Sequence, residues 1–500
     1  MDRGERMAVD EKQGKPGRQD RRRRAIIFRF GAVLTALLLL ALLELTLRLA
    51  VPSPPVNIED PFVSFHRLSP LFAADPTGTL FEIVEERLTA FCPQSFAAVK
   101  KPKSLRIFCL GGSTVQGRPY SVETSFTTWL DLNLRAARPG TESEVINCGG
   151  ISYASYRLVP IMKELLEYEP DLFIIYTGQN EFLEDRTYEH IKNKPRILIR
   201  THRAFLNLRI YSHAHHLFSQ HLGRRTPAEH SPKTILDPEV QARLDFQEGL
   251  KSYHRDQDWQ TDIIEHFHYN LETMVRMSRA ANVPVILVNP VSNLKDCPPF
   301  KSEHTSELTE EQIQQVNELR KQASEIDWSQ AHEKIRLLDQ AAAMDPQHAG
   351  LLFLLGKCYE HIGRFSEAKE WFTKAKEEDV CPLRILKPMH EIIHEVAVRY
   401  KVPLVDARKL IEDRTTDCIP GSEWLLDQVH PNITGHRLIA DALYETIEQN
   451  GMVQTPSGWQ ARRDQLCEQH LASLDNAYYE RGQARLNRLA EWSRGRTPKK

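Results

Sequence analysis

Five short apolar runs recur along the chain, and helical periodicity returns between them. They are Leu105-Arg106-Ile107-Phe108-Cys109-Leu110, Glu144-Val145-Ile146-Asn147-Cys148, Asp171-Leu172-Phe173-Ile174-Ile175-Tyr176-Thr177, Val283-Pro284-Val285-Ile286-Leu287-Val288-Asn289 and Val402-Pro403-Leu404-Val405-Asp406. Helical stretches cover 125–137, 158–168, 262–281, 391–400 and 435–449. Runs without polar alternation predict strands buried on both faces. Strands alternating with helices predict an α/β fold, a parallel sheet covered on both sides. Such sheets bind ligands outside the carboxyl ends of their strands. Three turns stand at those ends: Gly111-Gly112-Ser113, Gly149-Gly150-Ile151-Ser152-Tyr153 and Gly178-Gln179-Asn180-Glu181.

Four segments fall outside this rhythm. Residues 25–51 are long and apolar enough to span a bilayer, which needs about 20 residues. Arg29 and Arg48 would sit at the two interfaces, with Glu44 near the outer one. A cleaved signal peptide would require a small-residue site, and none of that type follows Leu49. Arg21 to Arg24 precede the run, so the positive-inside rule places 1–24 in the cytosol and the rest outside. Residues 186–257 form a first insertion, rich in His, Arg and Tyr. A second insertion, 291–385, carries Leu352, Leu355, Gly356, Tyr359, Gly363, Ala368, Phe372 and Ala375 at the positions of the tetratricopeptide pattern. Residues 328–346 read as the second half of an earlier, degenerate repeat. One and a half repeats bury no core alone, so they must dock on the parent domain or on a protein partner. The tail, 456–500, has Leu474, Ala477, Tyr478, Leu486 and Leu489 on one helical face, with the repeat insertion as its expected seat.

The expected plan is therefore a basic cytoplasmic tail (1–24), a transmembrane signal-anchor helix (25–51), a lead-in (52–103), a first part of the sheet domain (104–290, with 186–257 inserted), an insertion (291–385, repeat at about 328–380), a second part (386–450) and a helical tail (451–500). Composition fits a globular chain: 41% hydrophobic, 26% charged and net charge −2. With no basic excess, nucleic acid is not an expected partner. The eight cysteines are scattered and include no C-x-x-C pair, which argues against a zinc site. Cys109 and Cys148 sit in strands as small apolar residues; the others are available for disulfides outside the cell. His213, His215 and His216 form a candidate metal cluster, but no carboxylate stands at ligand spacing, so neither metal nor cofactor is expected.

The chemistry lies in four turns taken together. Ser113 ends a strand, where a glycine turn can expose its hydroxyl as a nucleophile. Near the carboxyl end stands Asp427-Gln428-Val429-His430-Pro431-Asn432, just before a helix. An Asp three residues before a His can hold the imidazole tautomer, leaving the other nitrogen to take a serine proton. The order serine turn, Gly-rich turn, Gly-x-Asn turn, Asp-x-x-His resembles the SGNH (GDSL-type) hydrolase superfamily. The resemblance covers 104–185, 260–290 and 386–450. It implies a flavodoxin-like three-layer sandwich, with Ser113 as nucleophile, Asp427 and His430 as its partners, and an oxyanion site made by Ser113, Ser152 and Asn180. Two positions depart from the pattern. Gly111-Gly112-Ser113 replaces Gly-Asp-Ser, and Ser152 stands where the family has its oxyanion glycine, a place a serine fills at a steric cost. Val115 also breaks the Gly-x-Ser-x-Gly elbow of the α/β-hydrolases. The implied activity is hydrolysis of acyl or acetyl esters on a glycan or lipid by a membrane-anchored, periplasmic or extracellular serine esterase. The alternatives are an O-acyltransferase on the same triad and an inert module that binds a partner through the repeat. Glu181 reads as structural, and Asp296 to Lys301 as a candidate entrance loop.

Overall fold

The computed structural model describes residues 18–50, 69–184, 210–211, 240 and 249–493. The chain divides into two compact units, Met1–Asn57 with Lys194–Glu229, and Ile58–Asn193 with His230–Lys500. In the first unit α1 (Arg18–Ala50) is one uninterrupted helix. Its stretch Ile27–Leu47 is apolar and long enough to cross a membrane, and side chains such as Leu34, Leu38 and Leu42 are exposed. His213, His215 and His216 lie outside the described residues.

The second unit opens with β1 (Phe72–Ala74), β2 (Leu80–Ile83) and β3 (Ser95–Ala97), a small antiparallel sheet inside what the sequence offered only as a lead-in. The main frame follows as β4 (Leu105–Gly111), α2 (Ser113–Gln116), α3 (Phe126–Ala137), β5 (Ser143–Gly149), α4 (Ser155–Leu165), β6 (Leu172–Tyr176), α5 (Gln257–Ala280) and β7 (Val285–Asn289). The repeat insertion supplies α6 (Glu310–Glu325), α7 (Ala331–Met344), α8 (Ala349–His361) and α9 (Phe365–Glu377). The frame closes with α10 (Lys387–Tyr400), β8 (Leu404–Asp406), α11 (Ala407–Glu412) and α12 (Ile433–Gln449), and α13 (Trp459–Ser473) and α14 (Asn476–Ser493) end the chain.

Strands β4 to β8 pair in the order β5-β4-β6-β7-β8, all parallel. This is the flavodoxin-like order, and the order reverses between β4 and β6. Strands β4, β6 and β7 have no exposed residue, as their unbroken apolar runs require. Ile107, Cys109, Leu172 and Ile174 turn to one face and meet Trp129, Leu130 and Leu134 of α3 and Ile439, Leu443 and Ile447 of α12. Each such side chain, fully buried, contributes about 1.5–3 kcal/mol. Helices α4, α5 and α10 cover the opposite face.

Three expectations are corrected. The insertion holds two helical hairpins, not one and a half, because α6 precedes α7. Only Val316 and Ala323 of α6 are buried, so its apolar signal is weak; a capping box of Thr309 and Gln312 starts it. Among the described residues, the tail packs on the sheet domain and not on the repeat. Helix α13 lies against α3, and Tyr478 of α14 bonds Thr124 at 2.8 Å. The cysteines outside the strands form no disulfide; all eight are free thiols.

Candidate active site

Strand β4 delivers Ser113 at the crevice where strand order reverses. The glycines before it are there for space. Neither takes a left-handed conformation, but a Cβ on Gly111 would lie 2.1 Å from the Tyr176 carbonyl oxygen and one on Gly112 2.3 Å from Asn180 Nδ2. Ser113 begins α2, so its N–H lies among the unpaired groups of a helix start. Among the described residues, neither the Ser113 N–H nor the Ser152 N–H donates to a protein acceptor. Asn180 follows β6, and its Nδ2 donates to the Tyr153 carbonyl at 3.1 Å, which fixes the amide beside the serine turn. Ser152 takes φ 62°, a left-handed backbone usually left to glycine. The backbone path that the resemblance assigns to a glycine is thus followed by a serine.

The loop from Glu423 to Asn432 brings the remaining groups. It closes on itself through Leu426 N–H to His430 O (2.9 Å) and Asn432 N–H to Trp424 O (2.8 Å). Asn432 then caps α12 by accepting from the Gly435 N–H at 2.8 Å. Asp427 Oδ1 accepts from the N–H groups of Val429 and His430, both at 2.9 Å. Its Oδ2 stands 2.7 Å from His430 Nδ1, and His430 Nε2 stands 2.7 Å from Ser113 Oγ. Burial opposes charge on Asp427. The His430 imidazole and the two N–H donors outweigh it and hold the carboxyl below its ordinary value. His430 is 6% exposed, so water competes little for these bonds.

Residues 325–380 match the tetratricopeptide repeat family. No curated protein matches the chain by sequence. Among solved structures, the chain is similar to an α/β hydrolase enzyme from the metagenome of Lake Arreo, Spain, at 13% identity and TM-score 0.31, over 70% of this chain and 97% of that one. It is also similar to the lipase/acylhydrolase of Enterococcus faecalis, at 14% identity and TM-score 0.32, over 71% and 100%. A third is the acetylxylan esterase of Geobacillus stearothermophilus, at 11% identity and TM-score 0.30, over 69% and 94%.

Other residues at the site escaped the sequence reading. Gln179, buried, accepts from Thr114 Oγ1 at 2.8 Å and donates to Val291 O at 3.0 Å and Val429 O at 3.5 Å. It ties the residue after Ser113 to the residue before His430. Its place inside Gly-x-Asn was the only available signal. Glu181 accepts from the backbone N–H and the hydroxyl of Ser155 at 2.7 and 2.9 Å, which ties the Asn180 turn to the start of α4. Asp296 to Lys301 are taken up by structural contacts: Arg384 donates to Cys297 O, and Asp379 receives the Phe300 and Lys301 N–H groups. Among the described residues no cluster could hold a metal ion.

Proposed function

We propose that this chain is an SGNH-type serine esterase that hydrolyses acyl or acetyl esters on a glycan or lipid. Helix α1 would hold it in a membrane, with its catalytic unit on the periplasmic or extracellular side. The observation that carries this reading is the contact of 2.7 Å between Ser113 Oγ and His430 Nε2, with Asp427 on the other ring nitrogen. His430 takes the proton from Ser113 as Oγ attacks the ester carbonyl carbon. The oxyanion accepts from the Ser113 N–H, the Ser152 N–H and Asn180 Nδ2, each such donor being worth about 3 kcal/mol of barrier. The carbonyl reforms, the C–O bond to the alcohol breaks, and His430 returns the proton to the departing oxygen. Water, deprotonated by His430, then attacks the acyl-serine and releases the acid. A sugar hydroxyl in place of that water would make the same site an O-acyltransferase. The anchor reading is supported by the exposed apolar span Ile27–Leu47 of α1 and by Arg21 to Arg24 at the start of that helix, just before the span.

Fluorophosphonate labelling of the full chain in detergent, with peptide mapping, tests the site. Label on Ser113 that disappears in His430→Ala is expected. A folded protein that takes no label would sink the esterase and transferase readings together, and leave a module that works through its repeat. Adding a glycan acceptor and weighing the products separates hydrolysis from transfer.

A further inference from the structure

The C-terminal helices close over the segment that follows the serine turn. Arg118 lies on that segment, and its N–H donates to the Ser113 carbonyl at 3.0 Å. Its Nε donates to Gln116 Oε1 at 2.8 Å. Gln116 is itself tied to the Ala90 and Gly149 carbonyls at 2.9 and 3.2 Å. Ala90 O also receives the Ile151 N–H at 2.9 Å. The guanidinium is therefore held beside the turn, on the side of the loop that carries Ser152.

Helix α14 brings two more arginines to the same place. Arg485 Nη1 donates to the Tyr120 carbonyl at 2.7 Å, and Arg488 lies one turn further on. The helix is firmly seated there. The Tyr478 hydroxyl bonds Thr124, the Tyr120 and Tyr478 rings stack at 5.9 Å, and a Cβ on Gly482 would lie 2.1 Å from the Tyr120 ring. Among the described residues, none of the three arginines forms an ion pair. Burial, then Arg485 and Arg488, push the Arg118 guanidinium below its ordinary value. A cation partly withdrawn from water, beside like charges and without a carboxylate, is unfavourable by itself. An anion reverses that sign, and arginine's planar donors suit carboxylate and phosphate oxygens.

We propose that Arg118, with Arg485 and Arg488 of α14, forms an anion subsite beside Ser113, so that the preferred ester carries a carboxylate or phosphate group near the scissile bond. The proposal rests on the esterase reading and narrows its substrate class. It also gives the tail a role beyond covering α3.

The test compares two acetyl esters with the full chain, neutral 4-nitrophenyl acetate and its 3-carboxylated analogue. The ratio of kcat/KM, charged over neutral, is expected to exceed unity and to fall with added salt. It is expected to drop about tenfold in Arg118→Gln and severalfold in Arg485→Gln, chiefly through KM. A ratio at or below unity, or one that neither substitution changes, overturns the subsite while turnover of the neutral ester keeps the esterase reading. If neither ester is cleaved, the fluorophosphonate label on Ser113 decides the esterase reading, and binding decides the subsite alone. Calorimetry with Ser113→Ala would then use trigalacturonate and glycerol 3-phosphate as probes. Binding that weakens about tenfold when Arg118→Gln is added supports the subsite, and the better probe tells an acidic glycan from a lipid headgroup. Failure of both probes to bind overturns it.

Discussion

Ser152 shows what one residue can cost and keep. At φ 62° an L-residue is disfavoured by about 1–2 kcal/mol relative to glycine. Ser152→Gly leaves the N–H where it is and removes that strain. It should raise stability by about 1 kcal/mol with turnover retained, read by thermal melts and steady-state kinetics. A large loss of turnover would mean that the hydroxyl itself takes part. In the proposed mechanism Asn180→Ala removes one of the three oxyanion donors, so kcat should fall about 100-fold while KM moves little. Gln179 acts through its neighbours. Gln179→Leu frees Thr114 from the His430 loop and should lower kcat about tenfold, with partial rescue by Gln179→Glu, which restores the acceptor for Thr114. Asp427 and His430 could be paired from the sequence by their Asp-x-x-His spacing, and Ser113 by its glycine turn at the end of an apolar run; the structure sets the three in one hydrogen-bonded chain. Gln179 could not, because its role is set by Val291 and Val429, which lie far from it in the chain.

At the scale of elements, the repeat braces the loop that carries Asp427 and His430. Ala368 and Phe372 of α9 pack with Leu294 and Ile419, and Leu294 N–H bonds Pro420 O at 2.9 Å. Arg384, just past the repeat, donates to the carbonyls of Asn293 and Cys297. The Asn293 N–H in turn bonds Gln428 O at 2.9 Å, next to Asp427. Phe372 is 1% exposed, so Phe372→Ala should cost about 3–5 kcal/mol in urea unfolding. It should lower ester turnover as well, even at concentrations of urea where the protein stays folded. The second hairpin was readable because its small and aromatic residues keep the repeat spacing. The first helix, α6, was not, since it buries so little of itself.

Across the whole molecule, buried imidazoles link stability to pH. His436 and His390 are held neutral by burial, their pKa values pushed down to about 3 and about 2. Released on unfolding, each regains an ordinary value near 6.5, so the unfolded chain binds protons that the folded chain refuses. The stability these imidazoles contribute is therefore full above about pH 6.5 and should fall by about 1.4 kcal/mol per pH unit for each such group below it. Asp427, held low in the folded state, acts in the same direction, its contribution being lost as pH falls through its lowered value. Melting temperature between pH 8 and pH 4 reads the slope, and His436→Phe should flatten it. Asp131 and Asp379 act the other way, their carboxyls pushed up to about 6 by burial, so a flat profile in the wild type would mean that these carboxyls offset the imidazoles, and His436→Phe would then make stability rise as pH falls.

The sequence by itself determined the parallel sheet, the order of its helices and the apolar span of α1, because a strand buried on both faces and a long apolar helix each write an unbroken apolar run into the chain. Only the tertiary structure decided where the tail sits, what seats the loop of Asp427 and His430 and which arginines meet beside the serine turn. Those facts depend on pairs hundreds of residues apart, such as Tyr478 with Thr124 and Arg485 with Tyr120, and no local pattern in the sequence encodes a partner at that distance.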